Sequence, residues 1–269
     1  MEKRIEYEQI TSLDPDWVCE QIDHFMEEDI PDGDATTQAT ITESAPVIAN
    51  MLAAEPFVFC GESIIPYCFP EPCLVDVKKK DGEWVQSGNT FAIITGPAGP
   101  ILTYERVTLN LIQRLCGIST ETKKYCDLGL PDHFKVMDTR KTTPGLRKFE
   151  KYAVSVGSGW NHRLDLTSGI LIKDNHLQAA GSVKAAIEQS RDQNSNNLPI
   201  ELEVDTLDQL REGLEMNVDG FLLDNMSPET VKKAVGIIRS VSNGESIFVE
   251  ASGGINYDSL ESYAWTGID

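Results

Sequence analysis

The sequence has no apolar stretch long enough to indicate a membrane protein or a secreted one. Spanning a bilayer takes roughly 20 consecutive apolar residues, and no segment of the chain approaches that length. The opening segment, MEKRIEYEQITSLDPDW, contains no apolar core of the kind that a signal peptide carries. We therefore predict a cytoplasmic protein with no membrane partner.

Closely spaced cysteine pairs are also missing. The six cysteines stand at irregular spacings without a CxxC pair, at Cys19, Cys60, Cys68, Cys73, Cys116 and Cys126. A reducing cytoplasm keeps cysteines as thiols, and free thiols pack like small apolar side chains, so we predict buried structural cysteines. The alternative is a zinc site formed by Cys60, Cys68 and Cys73.

Positive charge is scarce, and the place where it gathers is informative. The chain has 23 Lys and Arg against 43 Asp and Glu, a net charge of −20 that repels nucleic acid and anionic lipid over most of the surface. Residues 138–152, DTRKTTPGLRKFEKY, carry a local charge of +3 (5 − 2). The five cations are Arg140, Lys141, Arg147, Lys148 and Lys151. This stretch predicts a pocket for a small, highly charged anion and no nucleic acid partner.

The second half of the chain repeats a strand followed by a helix. Four apolar runs, in the segments GILIKD, PIELEVD, DGFLLDN and SIFVEASGG, each precede a helical pattern. Ser182, Thr206, Ser227 and Asn256 stand where helix N-caps belong. Continuous apolar runs suit parallel strands covered on both faces, so the pattern predicts an α/β barrel or a doubly wound sheet.

Ionisable residues fall near the ends of these predicted strands. Lys173, Glu203, Asp224 and Glu250 lie at C-terminal strand ends, where the loops of an α/β barrel form an active site. The sequence Ser-Gly-Gly at 252–254 then forms a turn with few side chains, which suits phosphate binding by backbone N–H groups. This arrangement favours the barrel.

The first half favours a separate α+β domain. We predict a helix over residues 16–28, strands over 47–54 and 74–79, and a long helix over 104–128 that breaks near Gly117. The predicted domains are residues 1–110 and 111–269. Arg114 is predicted to face solvent, whereas Arg106, at the start of the long helix, is badly placed for the helix dipole and needs another role.

The motifs resemble those of the quinolinate phosphoribosyltransferase family over nearly the whole chain. The similarity is carried by GDATT (33–37), ERVTLN (105–110), TRKTTPGLR (139–147), EKYAV (150–154), NHR (161–163), LIKDNH (171–176), ELEVDTLDQ (201–209), LLDN (222–225) and EASGGI (250–255). The resemblance implies an α/β protein with an N-terminal α+β sandwich-like domain and a C-terminal open α/β barrel of fewer than eight strands. It also implies a homodimer, or a higher homo-oligomer, with shared active sites.

The reaction that this resemblance implies joins quinolinate to phosphoribosyl pyrophosphate with Mg²⁺ and gives nicotinate mononucleotide, pyrophosphate and carbon dioxide. By the same resemblance, Arg106, Arg140, His162 and Arg163 bind the pyridine dicarboxylate. Arginine suits this work because it binds a carboxylate through two hydrogen bonds and keeps its charge.

The remaining site residues implied by the resemblance act on the phosphoribosyl side. Lys141 and Lys173 contact both substrates and neutralise the departing pyrophosphate. Glu203 and Asp224 stand near the ribose hydroxyls and the metal, partly through water. The phosphate-binding backbone donors belong to Ser252, Gly253 and Gly254.

Several positions depart from the family pattern. Ser155 replaces a cation and Ser158 a glycine before the NHR motif, and a loop that needs a positive φ would tolerate Ser158 poorly. Ser168 replaces the usual aspartate. The chain ends at Asp269, where a further strand is predicted to begin, so we expect a truncated chain without its final strand and C-terminal segment. The alternatives to a quinolinate phosphoribosyltransferase are a related transferase for another small anionic aromatic substrate and a binding protein without turnover.

Overall fold

The computed structural model describes residues 5–42 and 45–269, and these form two compact units. The N-terminal unit comprises residues 9–126 and 141–161, and the C-terminal unit comprises residues 5–8, 127–140 and 162–269. Each unit is thus built from segments that are not consecutive in the chain. The division predicted after residue 110 falls inside a helix of the N-terminal unit.

The N-terminal unit combines helices with short antiparallel strands. Its helices are α1 (Pro15–Asp29), α2 (Ala35–Thr40), α3 (Ala98–Cys126) and α4 (Arg147–Val156). Its strands are β1 (Pro46–Leu52), β2 (Phe57–Val58), β3 (Leu74–Val77), β4 (Trp84–Val85) and β5 (Thr90–Pro97). One sheet has the order β1-β5-β3, and β2 pairs with β4. The predicted helix over 16–28 and strands near 47–54 and 74–79 are confirmed within a few residues.

The helix α1 shows how local sequence defines these elements. The side chain of Asp14 accepts a hydrogen bond from the backbone N–H of Trp17, and Pro15 occupies the first helical position, where its missing N–H costs nothing. Val18, Ile22 and Met26 recur at a spacing of four and are buried in the core of the N-terminal unit. Capping and periodicity therefore agree.

The long helix α3 differs from its prediction in two respects. It begins at Ala98 rather than near Tyr104, and it continues through Gly117 without a break. Arg106 therefore lies more than two turns inside the helix, so the argument that placed it unfavourably at the positive end of the dipole was wrong. The prediction missed the first turn because its sequence, Ala-Gly-Pro, contains two poor helix formers.

The C-terminal unit is a parallel sheet with its connecting helices. Its strands are β6 (Ile170–Ile172), β7 (Ile200–Val204), β8 (Gly220–Asp224) and β9 (Phe248–Ser252), in the order β6-β7-β8-β9. Its helices are α5 (Asp174–Ala180), α6 (Val183–Gln193), α7 (Leu207–Glu215), α8 (Pro228–Arg239) and α9 (Tyr257–Ala264). Across residues 5–42 and 45–269 this sheet does not close into a barrel. The predicted α/β class and the small N-terminal sheet domain are confirmed.

Most of the predicted repeat is confirmed in detail. Ser182, Thr206, Ser227 and Asn256 each cap the helix that follows through a side-chain hydrogen bond to its first turn. The short helix α5 was not predicted; only its first residue, Asp174, lies in the predicted strand segment GILIKD. No strand is assigned at 267–269 in the described chain, although the N–H of Asp269 donates to the carbonyl of Val249.

The sheet of the C-terminal unit has two chemically different faces, because successive side chains of a strand point to opposite sides. On one face, Leu202, Val204, Phe221, Leu223 and Val249 are fully buried in the core of this unit. On the other face, polar residues stand side by side. Glu203 and Glu250 flank Leu222 in the strand register, and Asp224 is level with Ser252. The second face is therefore available for chemistry.

The cysteines divide between core and surface. Cys60, Cys68, Cys73 and Cys116 are buried, and burial raises the pKa of Cys68 and of Cys116 to about 12, so both are inert thiols. Cys19 is exposed, so the prediction that every cysteine is buried was wrong at that position. Within the described chain, Cys60, Cys68 and Cys73 do not form a cluster of metal-ligand atoms, which gives the zinc alternative no support.

Candidate active site

The polar face of the parallel sheet ends in a lysine and carboxylate pair. Lys173 directly follows β6, and its Nζ lies 3.0 Å from Oε2 of Glu203 on β7. The Lys173 side chain is 44% exposed and that of Glu203 is 14% exposed, so the ammonium keeps access to solvent. The backbone N–H of Lys173 donates to Nδ1 of His176 at 2.9 Å, which fixes the lysine at the start of α5.

A second carboxylate at the strand ends is held by short hydrogen bonds. The Ser252 hydroxyl donates to Oδ1 of Asp224 at 2.5 Å, and Nδ2 of Asn225 donates to Oδ2 at 2.6 Å. The turn after β9 requires glycine. Gly253 has φ +86°, and a Cβ there would lie 2.2 Å from Oδ1 of Asn225. Gly254, at φ +67°, has open space where a side chain would be.

Deeper on the same face lies a buried ionic cluster around His162. Its Nε2 lies 3.3 Å from Oε1 of Glu250 and 3.6 Å from Oε2 of Glu201. The hydroxyl of Tyr7 donates to Oε2 of Glu201 at 2.8 Å, and the tyrosine ring lies 4.3 Å from the imidazole between centroids. The backbone N–H of His162 donates to Asp138 at 2.9 Å. The imidazole is therefore fixed on several sides.

The protonation of this cluster follows from burial and charge. Burial lowers the pKa of His162, but the carboxylates of Glu201 and Glu250 outweigh it and raise that pKa to about 9. Burial and the charge of Glu201 raise the pKa of Glu250 to about 7. Burial and Glu201 likewise raise the pKa of Tyr7. At neutral pH the cluster thus contains an imidazolium between two acidic side chains, of which Glu250 is only partly ionised, an arrangement that suits an ion pair better than a metal ion.

Two arginines bring further positive charge to this unit. Arg163 is 6% exposed, and its Nη1 donates to the carbonyl of Gly169 at 2.9 Å. Its Nε is buried without a hydrogen-bond partner in the described protein. Burial and the charge of Arg140 lower the pKa of Arg163. A buried guanidinium with a vacant donor is a group that a bound carboxylate would satisfy.

Comparison with known proteins agrees with this geometry. The chain matches the family model described as quinolinate phosphoribosyl transferase, N-terminal domain, over residues 34–116 and the corresponding C-terminal domain model over residues 118–269. The chain belongs to the quinolinate phosphoribosyltransferase family. The predicted domain boundary after residue 110 stays a prediction.

Individual relatives are similar over most of their length. A probable nicotinate-nucleotide pyrophosphorylase [carboxylating] of Bacillus subtilis is 40% identical over 92% of this chain and 85% of its own. The nicotinate-nucleotide pyrophosphorylase [carboxylating] of Mycobacterium leprae is 38% identical over 91% of this chain and 87% of its own. The solved structure of the nicotinate-nucleotide pyrophosphorylase from Francisella tularensis has a TM-score of 0.87 at 33% identity, over 98% of this chain and 92% of that one.

The residues implied by the family resemblance are divided between the two units. The C-terminal unit contains Arg140, His162, Arg163, Lys173, Glu203, Asp224, Ser252, Gly253 and Gly254. Arg106 and Lys141 belong to the N-terminal unit and are exposed there, on α3 and on the loop before α4. The roles assigned to these residues stay predictions.

Sequence reasoning missed part of the cluster around His162. Glu201 lies in the family motif ELEVDTLDQ, but no functional role was predicted for it, and none was predicted for Tyr7. The available signal was the strand period, since Glu201 and Glu203 are two residues apart and must share a face. Nothing in the sequence places Tyr7 under the sheet, because that contact spans 194 positions.

The departures from the family pattern have local explanations. Ser158 has φ +71°, the conformation in which a glycine is favoured. The glycines beside it are needed for packing, because a Cβ at Gly157 would lie 2.6 Å from the carbonyl of Ser119 and one at Gly159 2.7 Å from Thr122. Ser168 donates to Asp165 at 2.8 Å. The backbone of this loop thus keeps the positive-φ conformation that glycine favours, although the residue at 158 is serine.

The later cations of the basic stretch have structural contacts. The Nζ of Lys148 lies 4.4 Å from the centroid of the Trp17 ring, a cation–π arrangement, and Lys151 is only 1% exposed. Arg147 donates through Nε to the hydroxyl of Thr142 at 3.1 Å. The local charge of +3 is therefore not a single solvated patch.

Proposed function

We propose that this chain transfers the phosphoribosyl group of phosphoribosyl pyrophosphate to quinolinate with decarboxylation, a step of NAD biosynthesis that gives nicotinate mononucleotide, pyrophosphate and carbon dioxide. One observation carries the proposal. Arg163 is buried with a vacant donor beside Arg140, in the unit whose strands end in Lys173, Glu203 and Asp224. Cations for a dicarboxylate and groups for a phosphoribosyl centre thus occur on one scaffold.

Charge explains why the substrate is a dicarboxylate. Arg140 and Arg163, with Arg106 as a further cation, carry more positive charge than one carboxylate needs. A buried cation left without a partner costs free energy, so a monocarboxylate would be bound poorly. The charge of the His162 imidazolium is already paired with Glu201 and Glu250, and this pairing sets the orientation of the ring.

Lys173 and Glu203 act where the bond to pyrophosphate breaks. The ammonium of Lys173 neutralises charge that develops on the departing pyrophosphate, and Lys141 does the same from its loop. The carboxylates of Glu203 and Asp224 favour positive charge that develops at the anomeric carbon. Positioning is the main task, because two anionic substrates repel each other until cations hold them at bonding distance.

Decarboxylation then follows from the new bond. Once the pyridine nitrogen carries the ribosyl group, its positive charge stabilises the carbanion that remains when the 2-carboxylate leaves as carbon dioxide. The protein's part is to hold the ring in place, which is the role assigned to Arg140, His162 and Arg163.

The donor set fits Mg²⁺. This ion prefers oxygen ligands and commonly uses one or two carboxylates together with substrate phosphates and water, which is what Glu203 and Asp224 at neighbouring strand ends can provide. Bound there, Mg²⁺ would supply charge neutralisation for the pyrophosphate oxygens.

The assembly and location belong to the same proposal. We infer a cytoplasmic homodimer, or a higher homo-oligomer, in which Arg106 of one subunit serves the site of its partner. Free thiols in the core support a reducing compartment. None of the described helices combines the length and the apolar character needed to cross a bilayer.

Product analysis tests the activity. The protein is incubated with phosphoribosyl pyrophosphate, Mg²⁺ and either quinolinate or nicotinate, and the products are identified by mass. We expect nicotinate mononucleotide and carbon dioxide from quinolinate and little product from nicotinate. Equal turnover of nicotinate would contradict the dicarboxylate site, and binding of quinolinate without product would indicate a binding protein.

A further inference from the structure

The loop that carries Lys141 is tied to two helices through one buried carboxylate. Glu150 lies in the first turn of α4 and is 6% exposed. Its Oε1 accepts from Nε of Arg114 on α3 at 2.7 Å, and its Oε2 accepts from the backbone N–H of Thr143 at 3.3 Å. A carboxylate buried to this extent is tolerated only when it is paired and hydrogen-bonded. Glu150 therefore connects α3, α4 and the loop.

Guanidinium groups hold the two residues that follow Lys141. The Nη2 of Arg114 donates to the Thr143 hydroxyl at 2.5 Å, and Nε of Arg147 donates to the Thr142 hydroxyl at 3.1 Å. Consecutive Cα atoms are about 3.8 Å apart, so fixing the next two residues also restricts the backbone of Lys141. The lysine side chain itself is exposed.

These contacts do not resemble a surface ion pair that merely adds solubility. Arg114 is 44% exposed, as predicted, and it also makes two contacts with groups 36 and 29 positions away in the chain. Its planar group bonds the carboxylate through Nε and the hydroxyl through Nη2, whereas a lysine has a single donor nitrogen. Only the Glu150 side of the pair is buried, with its side chain at 8% exposure, so the carboxylate is the fixed point to which the more exposed guanidinium is held.

We propose that Arg114 and Glu150 are positioning residues for Lys141, and that they hold its ammonium where the pyrophosphate of the substrate binds. The inference rests on the proposed function, since it assigns Lys141 to phosphoribosyl pyrophosphate. Small displacements of a catalytic group are costly, because a shift of about 1 Å can lower a rate by about a hundredfold. Arg114 and Glu150 thus act on catalysis through Lys141 without touching the substrate.

The first test compares variants that loosen the loop by different means. Arg114→Lys keeps the charge but removes the two-nitrogen fork that contacts Glu150 and Thr143, and Thr143→Ala removes one contact without leaving a charge buried. Both are expected to lower kcat/KM and to raise the Kd for phosphoribosyl pyrophosphate, measured by calorimetric titration with Mg²⁺, by about tenfold. Lys124→Ala is the matched control, because Lys124 is on the same helix and pairs with exposed Glu121.

The second test asks whether the effect passes through Lys141. Arg114→Lys is combined with Lys141→Ala, and the Kd for phosphoribosyl pyrophosphate is measured by the same titration, which needs no turnover. If Arg114 acts through Lys141, Arg114→Lys changes the Kd less than twofold in a protein that already carries Lys141→Ala. A further tenfold change would overturn the proposal, because a general structural role is additive with the loss of Lys141.

The outcomes also separate this inference from the proposed function. If the unmodified protein neither binds phosphoribosyl pyrophosphate nor forms product, the proposed function fails. If the unmodified protein is active and folded Arg114→Lys and Thr143→Ala proteins have the same constants, only the positioning role is overturned. Circular dichroism and melting temperature establish that each variant is folded.

Discussion

The two units present their functional charges in different ways. In the C-terminal unit, Lys173, Glu203 and Asp224 lie at the ends of parallel strands, where the backbone hydrogen bonds of the sheet fix their positions. In the N-terminal unit, Arg106 projects from a helix and Lys141 from a loop, and both are exposed. Residues at strand ends are positioned by the hydrogen bonds of the sheet, whereas the position of a loop residue depends on side-chain contacts with distant parts of the chain.

The largest expected effect concerns the strand-end lysine. Lys173→Ala should lower kcat by about a hundredfold or more, because it removes a preorganised charge from the departing pyrophosphate. The fold should persist, since the side chain is 44% exposed and such pairs contribute about 1 kcal/mol or less. Steady-state kinetics and thermal unfolding are measured together.

Lys184→Ala is the matched control, because Lys184 is an exposed lysine of the same unit that pairs with Glu188 on its own helix. It should behave like the unmodified protein. If Lys173→Ala unfolds, or works normally, the strand-end lysine has a structural role instead.

The next prediction sharpens the comparison by testing whether the helix-borne charge acts on another subunit. Arg106→Ala and Lys173→Ala homodimers should each be nearly inactive. If Arg106 serves the partner, a heterodimer of the two has one site with both defects and one intact site. An equal, random mixture should then recover about a quarter of the unmodified activity.

Subunit exchange is verified by native mass spectrometry before activity is measured. If exchange is complete and activity stays near zero, Arg106 serves its own subunit. Mixing either variant with itself through the same procedure provides the baseline.

Much of the C-terminal unit could be predicted because its signals are local. Helix caps at Ser182, Thr206 and Ser227 were identified from residue type and position, and apolar runs located the strands. Charges at strand ends then indicated which edge of the sheet is functional. The family resemblance added the individual roles, which no periodicity or spacing could supply.

The remaining features depend on contacts between distant residues. The pairing of Arg114 with Glu150 and of Tyr7 with Glu201 cannot be inferred from either neighbourhood alone, so the predicted exposure of Arg114 was correct but its partners were missed. The start of α3 was missed because tertiary packing overrides the poor helix propensity of its first residues. Such contacts determine how exposed charges are held.

A moderate effect on the pH dependence of stability is expected from the buried cluster around His162 in the C-terminal unit. The pKa of His162 is raised to about 9 because Glu201 and Glu250 outweigh the opposing effect of burial, and Tyr7 and Arg163 are the other titratable groups of this cluster. A histidine with a raised folded-state pKa stabilises the native protein fully below its ordinary value of about 6.5. That contribution is lost as the pH rises through about 9.

Urea unfolding at pH 6.5, 8 and 9 measures this dependence. The free energy of unfolding should fall over that range. Glu250→Gln should flatten the decline, because it removes one carboxylate from His162 and also the ionisation of Glu250 itself, whose pKa is raised to about 7. A decline of equal slope in the variant would show that other groups cause it.

The smallest effect is expected at Ser158, where a loop of the N-terminal unit has a positive φ of +71° without a glycine. Ser158→Gly should raise the free energy of unfolding by about 0.5–1 kcal/mol, because relief of backbone strain exceeds the added entropy of the unfolded chain. The Ser158 side chain is exposed, and its backbone hydrogen bonds with Ser155 and Cys126 survive the change.

Ser155→Gly is the opposite control, since it places glycine inside α4 and removes the hydroxyl that donates to Asn161, so it should destabilise the protein. Equilibrium urea unfolding of both variants decides the matter, and a Ser158→Gly protein less stable than the unmodified one would show that this loop holds no strain to relieve.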